Sequence, residues 1–285
     1  MIGMHRSGTT MVTELLEKSG YFFGAKQESN HEATFFLKLN EWMMKHANAS
    51  WSYPQNFQHI DEGYRNEMIK VMGFHLRSYK RFEFLGLRKS LKYNDIKSLD
   101  FAWGWKDPRN TFTIDIWKKK FPEAKLLHIY RNPIDVVESL RKRELNLARN
   151  FKKWLTLSNE LSIKEILLVG KLGYYSAGSP LWTENIYEGI KLWESYVNKA
   201  FSLGEEFKDR ILHVRYEDIL EKPSITLNNV FRFVGLETDT KQIENIAQLI
   251  RPERRYVFLK NEGLRQIYDE IKDKEIMKKL QYESL

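Results

Sequence analysis

The sequence predicts an α/β protein built on a parallel sheet, and three observations carry that expectation. Short apolar runs at residues 1–3, 125–130 and 210–215 are separated by long stretches of helical periodicity. Gly3 and Gly8 bracket a loop between the first run and the first helical pattern. Asn132-Pro133-Ile134-Asp135, just after the second run, supplies an N-cap residue, a proline at the first helical position and an acid in the first turn. Strands joined through helices in this way pair in parallel with right-handed crossovers.

The elements follow in order. Residues 1–3 read as the end of a strand, and residues 10–19 as a helix with Val12, Leu15 and Leu16 inward. Residues 33–47 read as a helix with Phe36, Leu37, Leu39 and Met43 on one face, and residues 62–84 as another. Residues 101–105 fit a strand, and residues 111–120 a helix closed by Phe121-Pro122. The apolar run 125–130 is a buried strand, and the helix after it is expected to reach about Asn146. Within residues 147–182, GYYSAGSP reads as a loop. A strong helix over 183–203 carries Ile186, Ile190, Trp193 and Val197, a strand follows at 210–215, and helices run on from Pro223. With no internal repeat or low-complexity linker, residues 1–285 read as a single domain with helical insertions at about 33–100 and 147–182.

Composition narrows the function classes. At 285 residues with 42% hydrophobic and 29% charged residues, the chain has the make-up of a soluble globular protein. It has no cysteine, which excludes a disulfide scaffold and thiolate chemistry and fits a reducing compartment. The apolar runs are too short to span a bilayer, and no signal-peptide pattern precedes the loop, so the sequence reads as cytoplasmic. The net charge of +8 comes largely from lysines spread through helical segments, without an aromatic-and-basic stripe or zinc-finger spacing. It reads as a solvated basic surface and not as a nucleic-acid interface. Only Met1 and Ile2 precede Gly3, so either the first strand is unusually short or the sequence is a truncated reading of a longer one.

Gly3-x-x-x-x-Gly8-Thr9-Thr10 has the spacing of a phosphate-binding loop. The glycines let the backbone turn and aim its N–H groups inward, and the helix start adds a positive dipole end. A P-loop kinase or NTPase is the first reading, and two residues oppose it. Thr9 stands where such a loop has its lysine, and the second strand leads into Arg131 where a magnesium-binding aspartate would be needed. An arginine there opposes a metal and welcomes a second phosphate. A metal-free nucleotide with two separated anionic ends fits these residues better.

GMHRSGTT resembles the 5′-phosphosulfate loop of sulfotransferases that use 3′-phosphoadenosine 5′-phosphosulfate (PAPS), and IYRNPIDVVESL resembles their 3′-phosphate motif. WGWKDPR is similar to the lysine-bearing strand end of bacterial-type members, and VRYEDIL with its following proline to the C-terminal strand motif. The four lie in family order over roughly residues 1–235. The first two together are specific, and the others are individually weak. The resemblance implies a doubly wound parallel sheet flanked by helices, of the P-loop nucleotide-kinase type. It implies PAPS as donor, PAP as product and no metal. Arg6, Ser7, Gly8, Thr9 and Thr10 would hold the 5′-phosphate and sulfuryl group, Arg131 and Ser139 the 3′-phosphate, and Tyr216 would lie near the adenine. Arg6 would then supply the cation missing at Thr9.

Sulfuryl transfer develops negative charge on the departing bridging oxygen. Arg6 and loop N–H groups would stabilise it by about 3 kcal/mol per well-placed donor. Lys106 is a second candidate cation, or a surface lysine at a strand end. The base that deprotonates the acceptor comes from KQESNHEATFF. Glu32 is the best match to a family glutamate placed before a helix, where a dipole would lower its pKa. His31 is the rival base, and plain helix capping the alternative role for Glu32. Ser139 could instead be a passive helix residue, and Arg251, Arg254 and Arg255 either reach the nucleotide or form a solvated helix end. Asp107-Pro108-Arg109 shapes a turn and pairs internally, and Glu217 and Asp218 do similar work. Trp42, Trp51, Trp103, Trp105 and Trp154 are core residues or faces for an acceptor ring. The acceptor is a small molecule, carbohydrate or lipid headgroup, with peptide tyrosine also open. A non-catalytic PAP- or PAPS-binding module is the reading outside enzymology.

Overall fold

A computed structural model of the protein describes the backbone of residues 1–157 and 185–285, and the side chains of 1–146 and 185–285. It is a mixed helical structure with a small parallel sheet. The chain forms two compact units, Met1–Arg131 with Tyr196–Arg255, and Asn132–Ser195 with Tyr256–Leu285.

In the first unit, β1 (Leu126–Tyr130) pairs in parallel with β2 (Ile211–Arg215), Leu126 opposite Ile211 and Tyr130 opposite Arg215. Ile2 flanks β1 on its other edge. Its N–H donates to the Leu127 carbonyl at 2.9 Å and its carbonyl accepts from the Ile129 N–H at 3.2 Å. The strand end expected at residues 1–3 is therefore a single parallel bridge. Alternate residues of β1 enter different cores. Leu126 joins Ile2, Phe36, Trp105 and Trp117, whereas Leu127 and Ile129 join Val12, Leu16, Val214 and Ile219. β1 is thus buried on both faces, as strands of parallel sheets are, whereas most of β2 is half-buried.

Residues 101–105 do not form the expected strand. Trp103 makes one parallel bridge with Phe22, whose neighbours Gly20 and Gly24 turn the chain away at positive φ. Helix α1 (Thr9–Lys18) buries Val12, Leu15 and Leu16, and α2 (Thr34–His46) buries Phe36, Leu37, Leu39 and Met43, as their periodicity predicts. The single helix expected over 62–84 is two, α3 (Glu62–Arg77) and α4 (Phe82–Lys92). Ser78 adopts extended backbone between them, and its hydroxyl accepts from the Lys80 N–H. Gly86 kinks α4 at φ 69°, which leaves the Glu83 and Phe84 carbonyls to bond the N–H groups of Lys26 and Ala25. α5 (Asn110–Lys118) carries Trp117 into the aromatic core, where Phe36 stacks on Trp105 at 4.2 Å between centroids.

The second unit contains α6 (Pro133–Leu157), which extends past the expected end at Asn146. Its start matches the sequence reading, with the Asn132 side-chain oxygen accepting from the Ile134 N–H at 3.0 Å. Asp135 does more than meet the helix dipole. Its carboxylate accepts from the N–H groups of Phe258 at 3.0 Å and Val257 at 3.3 Å, fixing the turn Val257–Lys260. α7 (Ile186–Ser202) is divided between the units, and Gly189 packs where a β-carbon would lie 2.4 Å from Val137 Cγ1. The GYYSAGSP loop, residues 183–184, the Trp154 side chain and most of the 147–182 insertion lie outside the described residues. Among the described residues no helix is long and apolar enough to cross a membrane.

Candidate functional site

The glycine-rich loop joins Ile2, at the edge of β1, to the start of α1. Gly3 stands at φ 133°, and a β-carbon there would fall 2.3 Å from the Ile129 carbonyl oxygen. Only glycine lets the loop leave the sheet this closely. Arg6 is exposed at φ 71°, Ser7 is buried, and Gly8 turns at φ 97° directly into α1. Gly8, the N-cap residue, has no side chain with which to cap α1, so its backbone N–H groups present the positive end.

A second cluster forms where β1 and β2 end. Arg131 follows β1 and Tyr216 follows β2. The Arg131 guanidinium lies 4.7 Å from the centre of the Tyr216 ring and donates to the Arg254 carbonyl at 2.9 Å. The same ring covers the loop, since a β-carbon on Gly8 would meet Tyr216 Cδ2 at 2.2 Å. Gly8, Arg131 and Tyr216 are thus neighbours at the carboxyl ends of the strands, where open parallel sheets bind ligands. Burial raises the Tyr216 hydroxyl pKa, with Arg131 and Arg254 pulling it back. Among the nearby basic residues, Arg255 is paired with Glu221, and Arg254 offers its carbonyl to Arg131. Ser139, expected beside Arg131, is half-buried on α6 in the second unit.

A third cluster lies on the segment before α2. Lys106 is only 2% exposed, which overturns its reading as a surface lysine. Its ammonium donates to the Asn30 carbonyl and lies 3.1 Å from Glu32 Oε1. The Thr10 hydroxyl, at the start of α1, donates to the same Asn30 carbonyl at 3.2 Å. Asn30 therefore ties the loop helix to the Lys106–Glu32 pair. Sequence reasoning missed it, since a backbone acceptor in a turn leaves no residue-type signal. Glu32 precedes α2, yet the expected lowering of its pKa by the helix dipole does not hold. Burial pushes its carboxyl up, and the nearby Lys106 only partly offsets this. The rival base, His31, has its ring engaged by Glu17 at 2.8 Å and Glu14 at 3.4 Å.

Behind Lys106 the turn is locked by charge. Asp107 accepts from the Arg109 N–H at 2.9 Å, from its guanidinium at 3.1 Å and from the Asn40 amide at 2.8 Å. Arg109 also pairs with Glu41 at 3.1 Å, and Asn40 takes the Trp117 indole N–H at 2.7 Å. This is the internal pairing expected of Asp107 and Arg109, and Asp218 similarly pairs with Arg215 at 2.8 Å. Trp103 and Trp105 belong to the aromatic core with Phe36, whereas Trp51 touches the loop, its ring 4.9 Å from that of His5. Trp42 lies against His46. Among the described residues no group of three or more His, Asp or Glu is arranged to hold a metal ion.

A glycine-rich loop at the edge of a parallel sheet thus leads into a helix that is tied to a buried cation–carboxylate pair. The chain belongs to the sulfotransferase family, whose model matches residues 1–164. No curated protein matches it significantly.

Proposed function

We propose that the chain moves a sulfuryl group from PAPS to a hydroxyl or amine acceptor by metal-independent in-line transfer. The observation that carries this reading is the Asn30 carbonyl, shared by Thr10 of the loop helix and by Lys106, which in turn holds Glu32. A group-transfer site needs an anion cradle, a cation at the departing oxygen and a base within reach of both.

The residues present fit the donor. The Gly8 turn, uncapped N–H groups, two threonines and Arg6 suit a phosphosulfate, and Arg131 beside Tyr216 suits a second phosphate on an aromatic nucleoside. PAPS, when bound, supplies an activated sulfuryl group on a phosphate leaving group. In this reading Arg6, Ser7, Gly8, Thr9 and Thr10 hold the leaving phosphate, and Lys106 neutralises the charge growing there. Arg131 holds the 3′-phosphate, and Ser139 is assigned to it on spacing alone. Tyr216 borders the adenine. Glu32 takes the acceptor's proton, and its raised pKa makes it a stronger base than an exposed glutamate. The burial of β1 on both faces supports the finer fold, a doubly wound parallel sheet in one sulfotransferase domain. The lack of cysteine supports a cytoplasmic setting. The acceptor class is a small molecule, carbohydrate or lipid headgroup.

Calorimetric titration with PAP, beside ADP and magnesium-ATP, tests the donor. Metal-free PAP binding that is lost without the 3′-phosphate supports it, and preference for magnesium-ATP makes the protein a divergent kinase. Turnover of labelled PAPS across an acceptor panel separates an enzyme from a PAP-binding module.

A further inference from the structure

The end of α3, the turn after it and α4 expose an unusual mixture of side chains. Phe74 is 64% exposed, Tyr79 76%, Leu87 66% and Leu91 77%, with Phe82 also on the surface. These are large apolar groups crowded into eighteen residues, whereas isolated exposed apolar residues need no explanation. Cations are interleaved with them. Residues 70–97 carry eight lysines and arginines against Glu83 and Asp95 alone. No carboxylate of the described residues pairs with Arg77, Lys80 or Arg88.

The geometry gathers these groups. The Arg81 guanidinium donates to the carbonyls of Arg77 and Ser78 at the end of α3, and to those of Ser90 and Tyr93 at the end of α4. One side chain therefore clamps the end of α3 to the end of α4. Past the kink at Gly86, Leu87 and Leu91 are four residues apart and share a helix face. Lys120 is also near, its pKa lowered first by burial and then by the like charges of Lys97 and Arg77. The sequence reading found no aromatic-and-basic stripe, because a stripe folded across a turn and a kink has no single period.

We propose that this face docks onto an anionic phospholipid surface. Apolar tips flanked by cations on long stems are the arrangement that enters the boundary between headgroup and acyl chain. Leu87, Leu91 and Phe74 insert, Tyr79 sits at the headgroup level, and Lys80, Arg77 and Arg88 meet lipid phosphates and carboxylates. This goes beyond the catalytic reading and uses none of its residues.

Vesicle co-sedimentation of the intact chain tests it, with phosphatidylcholine alone and with added phosphatidylserine, at low and high salt. Binding should require phosphatidylserine and weaken with salt. Lys80→Gln and Arg88→Gln should each lower the partition coefficient about fivefold. Leu87→Ser with Leu91→Ser should lower it by about tenfold or more. These positions are exposed, so far-UV circular dichroism should be unchanged. Absence of binding, equal binding to neutral vesicles, or variants that partition like the parent would overturn the proposal. So would a dimer in sedimentation velocity that Leu91→Ser dissolves with no vesicle binding, which would make this a protein interface.

Discussion

The carboxylate of Glu32 and the ammonium of Lys106 lie 3.1 Å apart, with both side chains under a tenth exposed. Removing one partner of such a pair strands the other charge in the interior. Glu32→Gln should therefore destabilise the fold by about 3–5 kcal/mol, and the double change Glu32→Gln with Lys106→Met should recover most of it. Urea unfolding of the single and double variants measures this. Equal losses in the two would mean the pair contributes no mutual stabilisation.

The pH dependence of turnover follows from the same pair. Burial raises the Glu32 carboxyl above the ordinary glutamate range. If Glu32 is the base, the acid limb of the rate profile should lie above that range, since the ionised form must be present to accept a proton. Glu32→Gln should abolish the limb with PAP affinity retained. A limb that survives the substitution assigns the proton transfer to another group.

Gly8→Ala should fail for two separate reasons. The added carbon would fall 2.2 Å from Tyr216 Cδ2, and φ 97° is a conformation that alanine avoids. PAP affinity should fall at least tenfold, about 1.4 kcal/mol. In a Tyr216→Ala background the clash is gone and only the backbone strain is left, so the effect of Gly8→Ala measured by calorimetry with and without the Tyr216 ring separates the causes.

Arg131→Ala should weaken PAP by more than tenfold, about 1.4 kcal/mol, through loss of a charge-assisted contact. ADP, which lacks the 3′-phosphate, should lose much less. Parallel losses for PAP and ADP would place Arg131 elsewhere on the nucleotide.

His128 is fully buried on β1, its Nδ1 2.8 Å from Nδ1 of His213 on β2, and burial holds its pKa well below the ordinary value of 6.5. The unfolded chain therefore binds this proton first as pH falls. Stability is fully present above pH 6.5 and is lost below it, by up to about 1.4 kcal/mol per pH unit. Thermal unfolding between pH 7.5 and 5.5 should show the fall, and His128→Leu should flatten it. An unchanged slope would assign the proton uptake to other groups.

Sequence alone revealed what local chemistry dictates. Gly3 and Gly8, the run at β1 and the Asn132-Pro133 helix start each obey rules that act within a few residues. What it could not reveal depends on distant partners. Lys106 meets Asn30 across 76 positions, and its burial there cannot be deduced from WGWKDPR. The dipole argument for Glu32 treated the helix start as solvated, and desolvation reversed the sign. Gly86 breaks α4 although a lone glycine is tolerated in many helices, because residues 25–26 arrive to claim the freed carbonyls.

The ring of Tyr216 resting on Gly8 also has a consequence for synthesis. The two residues are separated by roughly two hundred positions, and His128 waits a further 85 for His213. A ribosome delivers the loop first and its cover much later, so the loop stays uncovered on the nascent chain until β2 and Tyr216 have emerged. Closing contacts of such long range also slows folding. Although the family match ends at residue 164, a polypeptide stopped there would carry the loop without Tyr216 or β2. On the proposed reading, competence to bind donor should therefore arise late and all at once, as β2 and Tyr216 reach the loop.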